Sequence, residues 1–220
     1  MNESALKELW KTTNEKLEES LTINRKNTEE ITRIKVQGFL SSMKPIKIFT
    51  LLVGIIWVGL GAIVLSHIYI YAFSEANKFF LFSATVQIVL TAIALWMYLY
   101  QLIKIYEVNS YDPILETQEK LVQLRISTLR SARILLLQLP VWTTFWWNET
   151  MLTDWNLFQW IMTLIVTISF TFASVWLFFN IKYENRNKKW FQLIFNGNEW
   201  TPLMKSMELL EQVEEYKLKD

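Results

Sequence analysis

The sequence predicts an all-α polytopic membrane protein in which four transmembrane helices carry a cytoplasmic helical bundle. Three observations predict it. Three intervals free of Asp, Glu, Lys and Arg are each long enough to cross a hydrocarbon layer of roughly 30 Å, which takes about 20 residues. Basic residues crowd alternate connecting segments and are sparse in the others. The composition is 52% hydrophobic and 15% aromatic, with 11 tryptophans against 5 glycines and 4 prolines, a mixture that suits helices in lipid.

Residues 1–45 read as cytoplasmic helices. Leu6, Leu9, Trp10, Leu17 and Leu21 recur at steps of three and four, the period of one apolar helix face. A second helix is expected from Asn27, where Glu30 stands at capping-box spacing, with Ile31, Ile34 and Phe39 as its stripe. It should end near Met43, ahead of Pro45, and its lysines suit a position along the membrane surface. Glu3, Lys7, Glu8 and Lys11 interrupt any early apolar run, so no signal peptide is expected and the first span would serve as a signal-anchor.

The membrane domain is expected over residues 46–181, with spans at about 47–71, 79–104, 132–151 and 155–181. Span three is the weak one. Its apolar run, Ile134–Trp147, covers only about 21 Å at 1.5 Å per residue, and Pro140 interrupts it. A re-entrant or interfacial segment is the alternative. Flanking charge favours a crossing. Arg33, Lys35, Lys44 and Lys47 precede span one, and Lys104, Lys120, Arg125, Arg130 and Arg133 lie between spans two and three. The segment 67–78 holds one lysine and one glutamate, and 148–156 only Glu149 and Asp154. Lys182, Arg186, Lys188 and Lys189 follow span four and would face outward if span three failed to cross. Tyr69, Tyr71, Trp146, Trp147, Trp155 and Trp160 would form the outer aromatic belt, and Trp96, Tyr98, Tyr100, Trp176 and Tyr183 the inner one.

The linker 105–131 and the C-terminal region 182–220 are helical in pattern. Asp112-Pro113 reads as a cap followed by a first-turn proline, starting a helix that runs toward span three. Leu115, Val122, Leu129 and Leu136 fall seven apart, a coiled-coil-like seam. Thr201-Pro202 repeats that start, and Leu203, Met207, Leu210 and Val213 mark a last amphipathic helix. Stripes of this kind bury about 1.5 to 3 kcal/mol per aliphatic side chain. They must therefore pack on each other, on the membrane or on a partner. The candidate interaction surface is accordingly Leu115, Val122 and Leu129; Leu6, Trp10 and Leu17; and Leu203, Met207 and Leu210.

Little in the sequence points to chemistry. The chain has no cysteine and one histidine, His67, and no Walker loop, dinucleotide fingerprint or zinc motif. No catalytic residue, cofactor or metal is expected. Net charge is +1, from 22 Lys and Arg against 21 Asp and Glu, and gives no reason to expect nucleic acid. No ionisable residue is placed deep within a span. The polar groups expected at depth are Gln87, Gln138 and Ser169, whose ordinary role is an interhelical hydrogen bond worth roughly 0.6 kcal/mol. Ser169-x-x-x-Ala173 is the plainest small-residue pair, whereas Gly54, Gly59 and Gly61 make no GxxxG.

Tyr111-Asp112-Pro113 leading into Glu116, Gln118, Leu121 and Leu124 resembles a group of four-span inner-membrane proteins of Bacteroidota. So do the closing Leu209-Leu210-x-x-Val213-Glu214-Glu215-Tyr216 and the tryptophan-bearing opening from Leu6 to Leu17. The resemblance implies a bacterial inner membrane and no activity, while the flanking basic residues put both termini in the cytoplasm.

The function expected on these grounds is noncatalytic. The chain would be an interaction or scaffold module in a lipid bilayer, with itself or a cytosolic protein as partner. One alternative is a membrane-anchored regulator that sequesters a cytosolic partner, as anti-sigma proteins do. A small transporter or channel is disfavoured by the absence of buried charge, broken helices and inverted repeats.

Overall fold

The structure, a computed structural model, describes residues 3–109, 112–197 and 200–218. The described residues form eight α-helices, one short 3₁₀ turn and no strand. α1 spans Glu3–Tyr71, α2 Lys78–Glu107, α3 Ile114–Leu136, α4 Leu139–Thr144, α5 Thr150–Asp154, α6 Leu157–Asn180, α7 Lys189–Phe195 and α8 Thr201–Leu218. α1, α2 and α6 are long and apolar enough to cross a membrane.

α1 is a single helix of 69 residues, roughly 104 Å at 1.5 Å per residue. The two N-terminal helices expected from the caps are therefore one. Nothing stops the first: Thr28 donates its hydroxyl back to the Asn24 carbonyl inside a continuing helix. Pro45 does not end the second. Pro45 itself is exposed and its missing N–H frees one carbonyl, that of the half-buried Ser41, while Met43 and Lys47 on either side are held in the interior. Packing on both flanks outweighs the lost bond.

The largest core lies at one end of the molecule, which we call basal. Val36, Leu40 and Met43 of α1 meet Ile105 of α2, Leu121, Leu124 and Leu129 of α3, Phe191 and Phe195 of α7, and Leu203, Met207 and Leu210 of α8. Trp200 closes it over the two phenylalanines, with ring centres 5.6 and 5.2 Å away. A smaller cluster sits at the distal end, where Leu65, Leu81 and Ala84 gather with Phe80 and Phe145.

Between the two clusters the helices stand in a row. α1 packs on α2, α2 on α3 and α4, and α4 on α6, while no comparable packing joins α6 back to α1. α1 and α2 approach closely through glycine. A Cβ on Gly54 would meet Leu95 and one on Gly61 would meet Ile88, whereas Gly59 faces open space. Most apolar side chains of α1, α2 and α6 in this region are exposed, as suits helices whose outer faces meet lipid tails.

The third apolar stretch is not one helix. α3 ends at Leu136, Leu137 and Gln138 make a turn, and Pro140 begins α4. The proline cannot return a hydrogen bond to the Leu136 carbonyl, and the Ser174 hydroxyl of α6 donates to that oxygen instead, at 3.0 Å. The broken segment still runs antiparallel beside α2. Gln101 meets Ser131, Thr91 meets Gln138, Ser83 meets Thr144, Phe80 meets Phe145, and Asn77 meets the Trp147 carbonyl.

Helix starts follow local chemistry. Asn77 accepts from the Phe79 and Phe80 N–H groups, and Asn156 and Gln159 form a reciprocal capping box before α6. At α3 the expected roles shift by one residue. Pro113 takes the cap position, and the Asp112 carboxylate turns back to the Asn109 N–H at 2.9 Å and to Lys120 at 2.8 Å. Likewise Thr201 is the first residue of α8 rather than its cap.

Candidate functional site

Two regions stand out chemically, and the first is a buried polar layer where the basal bundle meets the apolar row. Lys47 is fully buried. It lies on the core stripe of α1, following Val36, Leu40 and Met43 at helical spacing and preceding Leu51. Its Nζ donates to Gln101 Oε1 at 2.7 Å and sits 4.3 Å from the centre of the Tyr98 ring. Gln101, also fully buried, donates to the hydroxyls of Ser127 and Ser131 at 3.2 and 3.1 Å. Three helices are thus pinned by one amide. A cavity of about 400 Å³ opens beside this layer, lined by Tyr98, Thr128, Ser131, Leu135, Leu136 and Trp200.

The sequence reading missed this layer. Lys47 counts as a flanking charge when spans are drawn as charge-free intervals, yet the apolar spacing through residues 36, 40, 43 and 51 predicts that position 47 points inward. That spacing was the available signal.

The second region is the start of α1. Residues 7–28 are all exposed. Trp10 is 71% exposed and Leu17 58%, and Leu9, Leu21 and Ile31 are exposed on the same stretch. The side chain of Leu6 lies outside those described.

The expected interaction residues therefore separate. Trp10 and Leu17 are presented to solvent. Leu203, Met207 and Leu210 are buried in the basal core and offer no surface. The Leu115 seam splits: Leu115 is 75% exposed, Val122 packs on the core, and Leu129 is buried. Among the expected polar groups, Gln138 is buried and donates to Thr91 at 3.0 Å. The Gln87 backbone carbonyl accepts from the Thr91 hydroxyl, and its side chain is half-buried. Ser169 is exposed, so the close contact of α6 falls to Ser174. Val213 carries a side chain outside those described.

Some charges at the basal surface are paired. Lys120 bridges Asp112 and Glu116, each at 2.8 Å. The hydrogen bond from Lys120, helped by the Asn109 N–H, holds the Asp112 carboxyl below its ordinary range, and the same contact raises Lys120. At the distal end, a groove of about 540 Å³ is lined by Trp142, Trp146, Trp147 and Trp155, with the Trp147 indole N–H and the Thr167 hydroxyl buried there without hydrogen-bond partners.

The fold and these regions define an all-helical protein with several apolar helices able to cross a membrane. No protein-family model matches the chain, and no curated protein or solved structure shows significant similarity to it.

Proposed function

We propose that the chain is a noncatalytic protein of a bacterial inner membrane, with four crossings and both termini in the cytoplasm, acting as an interaction module that self-associates through α1. The exposed start of α1 carries this reading. A lone helix in water is marginal, since its stability comes mainly from packing an apolar face. Trp10, Leu17, Asn24 and Ile31 fall seven apart, with Leu21 between them, which is heptad spacing. In a parallel pair the flanking positions set Thr13 beside Glu18 and Ser20 beside Arg25 of the other copy, so no like charges meet at those flanking positions.

The fourth crossing is supported by the antiparallel run of residues 131–147 beside α2 and by the hydroxyl that replaces the proline's lost bond. Orientation is supported by charge. Lys44, Lys104, Arg125, Arg133 and Lys182 lie at the basal end, whereas the distal connections carry Lys78 among Glu75, Glu149 and Asp154.

The chain lacks cysteine, which makes Leu17→Cys a clean probe. Oxidation in intact membranes should yield a disulfide-linked dimer, and Trp10→Glu should abolish it. A protein that stays monomeric at every concentration, with no L17C crosslink, would sink this reading. The same exposed helix also favours a regulator that captures a cytosolic partner. In that case Trp10→Glu would release a specific soluble protein from the purified full-length chain and leave its own monomeric state unchanged.

A further inference from the structure

We infer that Arg125 and Arg186 form a site for a phosphate-bearing anion, filled in the membrane by the headgroup of an inner-leaflet phospholipid. Both guanidinium groups converge on one ring. The Arg125 guanidinium carbon lies 3.9 Å from the centre of the Tyr183 ring and that of Arg186 lies 4.4 Å from it. The two cations share this one ring, and among the described residues neither arginine is ion-paired. Four other cations of the same half of the molecule, Lys104, Lys120, Arg25 and Arg33, hold carboxylates.

The donors are idle as well. A guanidinium offers five N–H groups in a planar fork suited to phosphate oxygens. Among the described residues Arg125 spends its fork only on the Met207 sulfur at 3.8 Å, and the Arg186 side chain makes no hydrogen bond. Arg133, about two helix turns further along α3, is different: it donates to the Ile181 carbonyl at 2.7 Å.

Position and shape fit the ligand. Tyr183 follows directly on the basal end of α6, whose last helical residue is Asn180. Basic pockets at this level of a membrane protein recognise anionic headgroups. Arg186 and Tyr183 open onto a cleft of about 570 Å³ that also holds Lys205, Asn187 and Gln192, a cation and two amides able to donate to phosphate oxygens. Glu208 and Glu211 also line this cleft, beyond ion-pair distance of either arginine, and would exclude a ligand with several negative charges along its length.

This inference rests on the membrane reading only for the source of the phosphate. The test uses the full-length chain purified in detergent, with lipid retention read by native mass spectrometry. Phosphatidylglycerol should stay bound at least about tenfold better than phosphatidylcholine, and Arg186→Gln with Arg125→Gln should remove about that factor. Arg186 lies in a half-buried turn outside the core, so R186Q alone should fold and show a reduced effect, while R186K should keep most of the retention. Glycerol phosphate in excess separates the two sources. If it displaces the lipid, a soluble phosphoester is the occupant, and if it does not, the membrane lipid is. Equal retention of both lipids by the native chain, or undiminished phosphatidylglycerol on a folded R125Q/R186Q chain, would overturn the site. Dimer formation by L17C should be unaffected by R186Q, which keeps failure here distinct from failure of the self-association proposal.

Discussion

Lys47 concentrates the energetic tension of the molecule in one side chain. A buried ammonium is costly unless its donors are used, and the Gln101 amide both accepts from it and passes the constraint to Ser127 and Ser131. Lys47→Met should cost about 1–3 kcal/mol by leaving a buried acceptor unfilled. Gln101→Leu should cost a similar amount or more, because the charge remains. The double variant should cost clearly less than the sum, since removing both partners of a buried pair is nearly neutral. Thermal unfolding in detergent reads all three, and strict additivity would argue against a coupled pair. Asp112 supplies the pH-dependent counterpart outside the membrane. Its carboxyl titrates below the ordinary 3.8 because Lys120 stabilises the charged form. A depressed carboxylate contributes stability above its unfolded pKa and loses it as pH falls through the lower folded value. Asp112→Asn should therefore be less stable than the native chain at neutral pH, and the two should converge in strong acid.

Helix pairing is decided at the scale of the element, by residues that share a face. Gly54 and Gly61 are seven apart and meet Leu95 and Ile88, also seven apart, in antiparallel register. The neighbours are the flexible ends of side chains, so Gly61→Ala should be nearly neutral. Gly61→Ile should cost about 1–3 kcal/mol through overpacking. Gly59→Ile, facing open space, should behave as native, and equal loss of stability at 59 and 61 would refute the α1–α2 register. The small-residue pair expected at Ser169 and Ala173 does not mark the tight contact of α6. That contact sits at Ser174, because the carbonyl freed by Pro140 needs a donor there and a hydroxyl one residue further round the helix supplies it.

At the scale of the whole molecule, the row of helices leaves apolar faces for lipid while the basal bundle closes around its own stripes. The four-crossing proposal makes a side-by-side prediction that single cysteines can test in intact cells. Cysteines at positions 10 and 119 should resist an impermeant maleimide, and one at 150 should react. Labelling of 119 and 150 from the same side would mean that the segment broken at Pro140 turns back within the membrane. The start of α1 stands outside this architecture. Its exposure means that deleting residues 3–28 should leave the unfolding temperature almost unchanged while removing the L17C dimer interface.

The sequence alone determined the helical class, the three long apolar spans and the amphipathic stripes of α3 and α8, because these depend on local period and on charge-free length. It also located the starts of α3 and α8 to within a residue, since cap and proline chemistry is local. Tertiary structure decided which stripes were core and which were surface. Leu203, Met207 and Leu210 share one helical face just as Trp10, Leu17 and Leu21 do, but only the first group is buried, and periodicity cannot reveal a partner. It decided as well that Pro45 sits inside a helix and that Lys47 is buried, because both outcomes depend on side chains from α2, α3 and α8 arriving to outweigh a lost hydrogen bond and a desolvated charge.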